Sequence, residues 1–372
     1  MNMPTPLKHE IQLVTIRELE DLIRSDAFQR WQTIPISPWR VHSQVRNPRA
    51  NPADVALIIA KDEQGEVIAF IGFLPDQNRE QQTVTWNSCW WAHPEKGGSA
   101  GIQIFYKGLQ LWGDQLAFDD LPDHSVKILQ KMEDRFVLEN MEGVRGIVRF
   151  YLETLFANAF PASRLWRWKG RQMDRFLNML LAPKWLFWKR KFLHKELSID
   201  YIPAIDTEAS GFLEKHLQRE YFQRGRAELN WILRYPWIVP TSEDTGNIQN
   251  RYPFTAVSDN FKQGVAKIKQ DGILIGVLIY NCRNGLCKLP YVYFDPAQKE
   301  EILLAVYRLL LDIRATNLIC FHPDLAPQML YRRSVFFWAR SSVKTRGYSN
   351  ALENSMSGNP LWQDGDGDWS FT

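Results

Sequence analysis

The sequence predicts an α/β protein: two similar mixed-sheet domains in tandem, joined by a basic, tryptophan-rich segment. Three observations carry that expectation. A chain of 372 residues exceeds one typical domain. One order of hairpin, strand, helix and strand occurs twice along it, and between the two occurrences ten basic residues gather within Arg164 to Lys195. Hydrophobic content of 45% and charged content of 23% are globular proportions, which excludes a disordered or fibrous chain. The 15 Trp and 21 Phe exceed what a core requires, so aromatic-lined grooves or an interfacial surface are expected.

Ile11 to Gln32 reads as a helical region, and Pro35, Pro38, Pro48 and Pro52 then carry the chain across a surface. Runs of strand formers from Val55 to Ala60 and from Val67 to Leu74 flank a polar turn and read as a hairpin. Thr83 to Trp91 gives another strand. His93-Pro-Glu-Lys-Gly-Gly-Ser-Ala-Gly101 is rich in breakers, and Ile102, Phe105, Leu109 and Trp112 follow at helical spacing. Gln115 to Leu121 is expected as a strand, Ser125 to Met132 as a helix, and Phe136 to Leu138 as a closing strand.

The order then recurs. Phe261 to Lys269 and Gly272 to Cys282 form a hairpin, Leu286 to Phe294 a strand, and Ile302, Val306, Leu309, Leu310 and Ile313 a helical stripe. Asn317 to Phe321 is the next strand and Leu325 to Arg333 the next helix. Laying Phe294-Asp-Pro296 on Ala92-His-Pro94 also lays Leu318 on Leu116, which duplication of one α/β unit explains. Domains are therefore placed at 1–160 and 199–372, with a linker at 161–198 whose helical character Pro183 interrupts.

The four cysteines lack zinc-finger spacing, so no metal is expected. Asn284-Gly285 reads as a two-residue type I′ turn that sets Cys282 opposite Cys287, as packed thiols in preference to a disulfide. Cys89 and Cys320 read as small core residues. No apolar run of spanning length and no leader pattern occur, which predicts a cytoplasmic protein. Asp364-Gly-Asp-Gly-Asp368 imitates the start of a calcium loop without its sixth-position Gly or terminal Glu, and reads as a solvated tail. Arg224, Arg226 and Glu228, with Trp231 and Trp237, read as a charged helix surface with aromatic packing, or alternatively as part of a polar substrate groove.

A strand that leads through a glycine loop into a helix offers unpaired N–H groups and a positive helix end, which together bind phosphate oxygens. Gly97, Gly98, Ala100 and Gly101 let backbone approach an anion without side-chain obstruction. Neither G-x-x-x-x-G-K-[ST] nor G-x-G-x-x-G is present, which removes support for a P-loop nucleotidase or a nicotinamide enzyme.

Hairpin, strand and Glu95-Lys-Gly-Gly98-Ser-Ala100 on a helix resemble the GNAT superfamily, the acyl-CoA-dependent N-acyltransferases. Gly98 and Ala100 match the small positions of that family's pyrophosphate loop, while Glu95 stands where Arg or Gln is usual. The resemblance implies acyl-CoA, in the first place acetyl-CoA, as co-substrate held by Lys96, Gly97, Gly98, Ser99, Ala100 and Gly101. The second half resembles the same fold, but Asp295-Pro-Ala-Gln-Lys299 has no glycine and is not expected to hold the cofactor in this way. Leu330-Tyr331-Arg-Arg-Ser-Val-Phe-Phe337 resembles the family segment whose Tyr protonates the departing thiolate, which makes Tyr331 the candidate acid. Tandem members also include enzymes that attach acyl or aminoacyl groups to cell-envelope precursors.

Transfer from a thioester needs a neutral amine, so a base must take its proton. His93, Asp119, Asp120 and His124 near the end of the first sheet are the candidates. Each has a structural alternative: His93 can simply end a strand, Asp119 and Asp120 can cap a helix, and Tyr331 can be a half-buried packing residue. The expected activity is acyl transfer to an amine, on a small molecule or on a lipid-linked envelope or glycoconjugate precursor. Its rivals are a GNAT-like binding protein without catalysis and a nucleic-acid-binding protein using the basic aromatic segment. Trp166, Trp168, Trp185 and Trp188 among those charges also fit peripheral contact with an anionic membrane, at its inner face.

Overall fold

The strand-forming runs pair as their alternation dictates. In the computed structural model, which describes residues 9–113, 115–331, 334–353, 355 and 360–371, they belong to two compact units. Unit 1 comprises Met1–Asn140, Leu217–Phe261 and Lys344–Thr372, and unit 2 comprises Met141–His216 and Lys262–Val343.

In unit 1, β1 (Glu10–Thr15) pairs antiparallel with β2 (Val55–Lys61), β2 with β3 (Val67–Gln77), and β3 with β4 (Thr83–Ala92). Next to β4 lies β5 (Leu116–Phe118) in parallel, and a parallel neighbour needs a crossover, which α4 (Gly98–Trp112) supplies. Successive strand residues point to opposite faces. Ile58, Ile71 and Phe73 accordingly meet Ile104, Phe105 and Leu109 of α4, whereas Leu57, Ile59 and Phe70 meet Leu19, Phe28 and Val41 on the other face. Those latter residues come from α1 (Leu19–Arg24), α2 (Asp26–Arg30) and α3 (Pro38–Gln44). Both faces being covered explains why β2 and β3 read as continuous apolar runs. Further on are α5 (Asp123–Gln130) and β6 (Phe136–Ile147), whose first residues close unit 1.

Unit 2 repeats the plan. It opens with the remainder of β6, α6 (Leu152–Ala159), α7 (Arg164–His194), β7 (Leu197–Ile202) and α8 (Thr207–Leu217). The chain then returns to unit 1 for α9 (Arg226–Arg234), α10 (Glu243–Arg251) and a small parallel pair, β8 (Val239–Pro240) with β9 (Val257–Ser258). Back in unit 2, β10 (Phe261–Gln270) pairs with β7, β11 (Ile273–Arg283) with β12 (Leu286–Phe294), and β12 runs parallel to β13 (Asn317–Cys320). Its crossover helix is α11 (Lys299–Asp312), and α12 (Ala326–Tyr331) follows β13. Equivalent parallel ladders start at Leu116 and Asn317, so the two halves align one residue away from the Leu116–Leu318 match.

The last strands are exchanged. Within unit 1, β5 pairs antiparallel not with its sequence neighbour but with β14 (Trp338–Ser349), at Gly347 and Tyr348; α13 (Asn350–Glu353) follows. Within unit 2, β13 pairs with Val144–Ile147 of β6. Each unit is completed by a strand from the far side of the sequence, so the units are not the consecutive stretches 1–160 and 199–372.

Three local expectations are corrected. The stretch from Ile11 starts as β1 and only then turns helical, because Leu13 and Val14 pair with Ile58 and Leu57. Residues 161–198 are no linker but mainly α7, 31 residues long and continuous through Pro183; Trp188 and Phe192 are buried against α11, and that packing outweighs the one helical hydrogen bond that Pro183 removes. The Asp364–Asp368 tail is buried in unit 1, where Lys344 Nζ lies 2.5 Å from Asp364. The Asn284-Gly285 turn is as expected, both residues having positive φ, and Cys282 faces Cys287 with all four cysteines free and buried.

Candidate active site at the open end of strand β4

The site begins with an irregularity in β4. Gly72 of β3 faces Cys89 while the next residue, Phe73, faces Asn87, so Ser88 is an extra, bulged residue. A bulge bends its strand and interrupts pairing. Asn87 is also the last residue of β4 to pair with β5, opposite Phe118. From Ser88 to Ala92 the strand therefore leaves its parallel neighbour β5, and the Cys89 carbonyl there accepts the Asn87 side-chain amide at 3.2 Å. Arg40 supports the bulge from beneath: its guanidinium donates to Ser88 Oγ and, at 3.1 Å, to the Tyr252 hydroxyl, and it lies 4.2 Å over the Trp237 ring.

The chain then turns into α4. His93 Nδ1 accepts the N–H groups of Glu95 at 3.2 Å and Lys96 at 3.3 Å, and its carbonyl accepts Gly97 N–H at 2.8 Å. Gly97 is the N-cap, and the first helical bond runs from Gly101 N–H to Gly97 O at 2.8 Å. No side chain caps this end, so the N–H groups of Gly98, Ser99 and Ala100 are the open donors of the first turn. The two leading glycines differ in role. A Cβ on Gly97 would stand 2.4 Å from both His93 N and Ile68 O, whereas one on Gly98 would meet nothing within 4 Å. Gly97 lets the loop fold; Gly98 leaves clear space before the helix end.

That space is a pocket of about 360 Å³ lined by Trp90, Ala92, Gly98, Gly101, Ile102, His124 and Ile128. Trp90 is held by stacking on Phe105, ring centroids 4.8 Å apart, and by its indole N–H donating to Gly101 O at 3.1 Å. The pocket thus joins the freed end of β4, the first turn of α4 and one side of α5.

Of the residues expected from sequence, Gly98, Gly101 and His124 come together here. Ser99 is exposed at the helix end, Ala100 is buried in the core, and Lys96 turns to Asp62 at 3.5 Å. His93 is occupied as the cap of its own turn. Asp120 is exposed with φ +50°, and Asp119 is sealed in ion pairs with Lys344 at 3.0 Å and Arg346 at 3.4 Å. Tyr331 ends α12 of unit 2, and its side chain lies outside the described residues. Sequence reasoning missed Arg40, Ser88 and Trp90. An Arg between Trp39 and Val41, shortly after Ile34-Pro-Ile36, is the available signal for the first.

Unit 2 carries the same bulge and a different helix entry. Asn281 faces Lys288 and Ile279 faces Tyr291, which leaves Leu289 and Pro290 opposite the single Tyr280, just past the last parallel pair at Lys288. The short turn Pro296–Gln298 that precedes α11 is capped by Asp295, which accepts Ala297 N–H at 3.1 Å, and α11 itself starts after Gln298, so no glycine loop leads directly into this helix. Nearby His322 is buried against Phe294, and burial lowers its pKa to about 4.

Buried charge in unit 1 replaces the expected polar helix surface. Arg224 is enclosed and paired with Asp76 at 2.6 Å, and Arg49 lies 2.8 Å from the same carboxylate, which also accepts the Trp86 indole N–H at 3.2 Å. Arg49 further reaches Glu228 at 3.4 Å. In the folded tail, burial pushes Asp366 up to about 7 against the pull of Arg224 and Arg346.

Two mixed-sheet units, one whose crossover helix is entered through a glycine loop and one whose crossover helix follows a carboxylate-capped turn, define an α/β fold of repeated plan. Solved structures similar to the chain include GCN5-related N-acetyltransferases and a tandem GNAT protein. A glucosamine N-acetyltransferase region of a fungal multi-domain GH3 β-N-acetylglucosaminidase is 10% identical with a TM-score of 0.48, over 94% of this chain but only 39% of that one. A GCN5-related N-acetyltransferase from Anabaena variabilis is 10% identical with a TM-score of 0.45, over 91% of this chain and 72% of its own. The tandem GNAT protein of the clavulanic acid biosynthesis pathway is 11% identical with a TM-score of 0.45, over 92% and 98%. Neither a family model nor a curated protein matches the chain.

Proposed function

We propose that unit 1 binds acyl-CoA and transfers the acyl group, acetyl in the first place, to an amine. The uncapped first turn of α4, opening onto a pocket beside the freed end of β4, carries this reading. The pyrophosphate would take the N–H groups of Gly98, Ser99 and Ala100 with the favourable helix end, and the clear space before Gly98 admits it. The stretch of β4 from Ser88 to Ala92, which does not pair with β5, suits the amide groups of a pantetheine arm, which would pair with it as a short added strand. The acceptor amine attacks the thioester carbonyl, the thiolate leaves, and one proton must pass from the nitrogen to a base. His124 is the titratable side chain lining the pocket and is assigned that role, with His93 retained for shaping the loop. The amine belongs to a small molecule or a lipid-linked precursor.

Calorimetric titration of acetyl-CoA into the full chain tests the proposal. One site is expected, weakened at least tenfold in Gly98→Val and kept in His124→Gln, which retains binding but transfers slowly. Absence of acetyl-CoA binding to the wild-type chain would end it.

A further inference from the structure

The long helix α7 presents two opposed faces. On one, Gly170, Trp188 and Phe192 are buried, Trp188 lying edge-on to Tyr307 at 5.0 Å. On that side too, Asp174 accepts the N–H groups of Leu152 at 2.7 Å and Glu153 at 2.9 Å, which fastens α6. At about 100° per residue, the opposite side collects Leu165, Phe176, Met179, Leu180 and Phe187. Each of these is more than half exposed, and exposed Trp166 and Trp168 lie toward the amino-terminal end. Apolar surface of this extent on one helix marks an interaction site.

Charge decides the partner. Ten basic residues lie between Arg164 and Lys195 against one acid, Asp174, whose carboxylate is already engaged. Arg164, Arg167, Arg175, Lys189 and Arg190 make no ion pair among the described residues. A second copy of the chain would set two strongly positive faces together. A nucleic acid would leave the aliphatic crest of Leu165, Met179 and Leu180 wet, because stacking on bases needs rings. An anionic bilayer satisfies both features: acyl chains receive the crest while headgroup phosphates meet the arginines and lysines. None of the described helices is long and apolar enough to cross a membrane.

We propose that the outer face of α7 is a docking surface for an anionic membrane, on which the helix lies parallel to the bilayer plane. The proposal stands apart from the acyltransferase assignment, since it uses no residue of that pocket.

The test is co-sedimentation of the full chain with phosphatidylcholine vesicles containing about a third phosphatidylglycerol, and with pure phosphatidylcholine vesicles, at low and molar salt. Binding is expected only for the anionic vesicles at low salt, with quenching of tryptophan fluorescence by brominated lipid. The triple variant Phe176→Ser/Met179→Ser/Leu180→Ser, altered at exposed positions, should fold normally by circular dichroism and partition at least tenfold less. Arg164→Gln/Arg167→Gln/Arg175→Gln should partition roughly a hundredfold less. No binding at low salt, equal binding to neutral vesicles, or undiminished binding by both variants overturns the proposal. So does either alternative occupant: concentration-dependent dimers abolished by the serine variant, or single-stranded DNA binding tighter than vesicle binding.

Discussion

Gly97 and Gly98 are adjacent, yet a methyl group added to each should have opposite effects. On Gly97 the new Cβ would stand 2.4 Å from the backbone nitrogen of His93 and from the carbonyl oxygen of Ile68, and 2.9 Å from His93 O. Backbone atoms on both sides leave no flexible side chain to yield, so the upper end of the overpacking range applies, about 3 kcal/mol. For a unit of this size that is a fall in Tm of roughly 6 to 12 °C. On Gly98 the Cβ would meet nothing within 4 Å, and Ala in a helical first turn is favoured over Gly by up to about 1 kcal/mol. Gly98→Ala should therefore melt at or above the wild-type temperature. Gly98→Val should keep the fold and weaken acetyl-CoA binding at least tenfold, about 1.4 kcal/mol, by filling the approach to the helix end. Differential scanning calorimetry and titration calorimetry on the same samples separate the two effects. A Gly97→Ala protein as stable as wild type would refute the loop geometry, and undiminished acetyl-CoA affinity in Gly98→Val would refute the phosphate assignment.

Three further perturbations probe the buried charges. Asp366, raised to about 7 by burial, holds its proton more tightly in the folded than in the unfolded chain, so its contribution is complete below about pH 4 and is lost as pH rises toward 7. Asp366→Asn should flatten that decline, at most about 1.4 kcal/mol per pH unit, in urea unfolding at stepped pH. His322, lowered to about 4 by burial, works the other way: its contribution is present above about pH 6.5 and is lost as pH falls toward 4. His322→Gln should be less acid-sensitive than wild type over that interval, and an unchanged acid limb would show that His322 is solvated. Asp76→Ala would strand both Arg224 and Arg49 in the interior, at a cost of about 3 to 5 kcal/mol; a loss under 1 kcal/mol would mean water reaches the pair.

Local signals in the sequence determine the structure where they concern one segment. The hairpin of β2 and β3 and the stripe from Ile102 to Trp112 follow from alternation and helical spacing, which are properties of consecutive residues. The glycine loop was legible for the same reason, although only the coordinates separate Gly97, which the fold needs, from Gly98, which it does not. Long-range decisions left no such trace. Nothing near Phe118 foretells that Gly347 and Tyr348 pair with β5, and nothing in Asp364-Gly-Asp-Gly-Asp368 reveals the Lys344 that receives Asp364. Pro183 carried a strong local rule that packing of Trp188 and Phe192 overrode. The bulge at Ser88 depends on register against β3, which no composition of β4 alone encodes.

The exchange of final strands has a consequence for synthesis. Ribosomal translation delivers β5 long before its partner: about 225 residues separate Phe118 from Lys344, where the unit 1 portion of β14 begins. At roughly 5–20 residues per second the nascent sheet waits on the order of 10 to 45 seconds with the edge at Ala117 and Phe118 unpaired. Such an edge invites another chain to add to it. Expression yield should therefore depend on chaperone supply and on elongation rate through the second half of the message. A stop codon placed shortly before Lys344 should yield an aggregating product, because it removes the strand that pairs with β5.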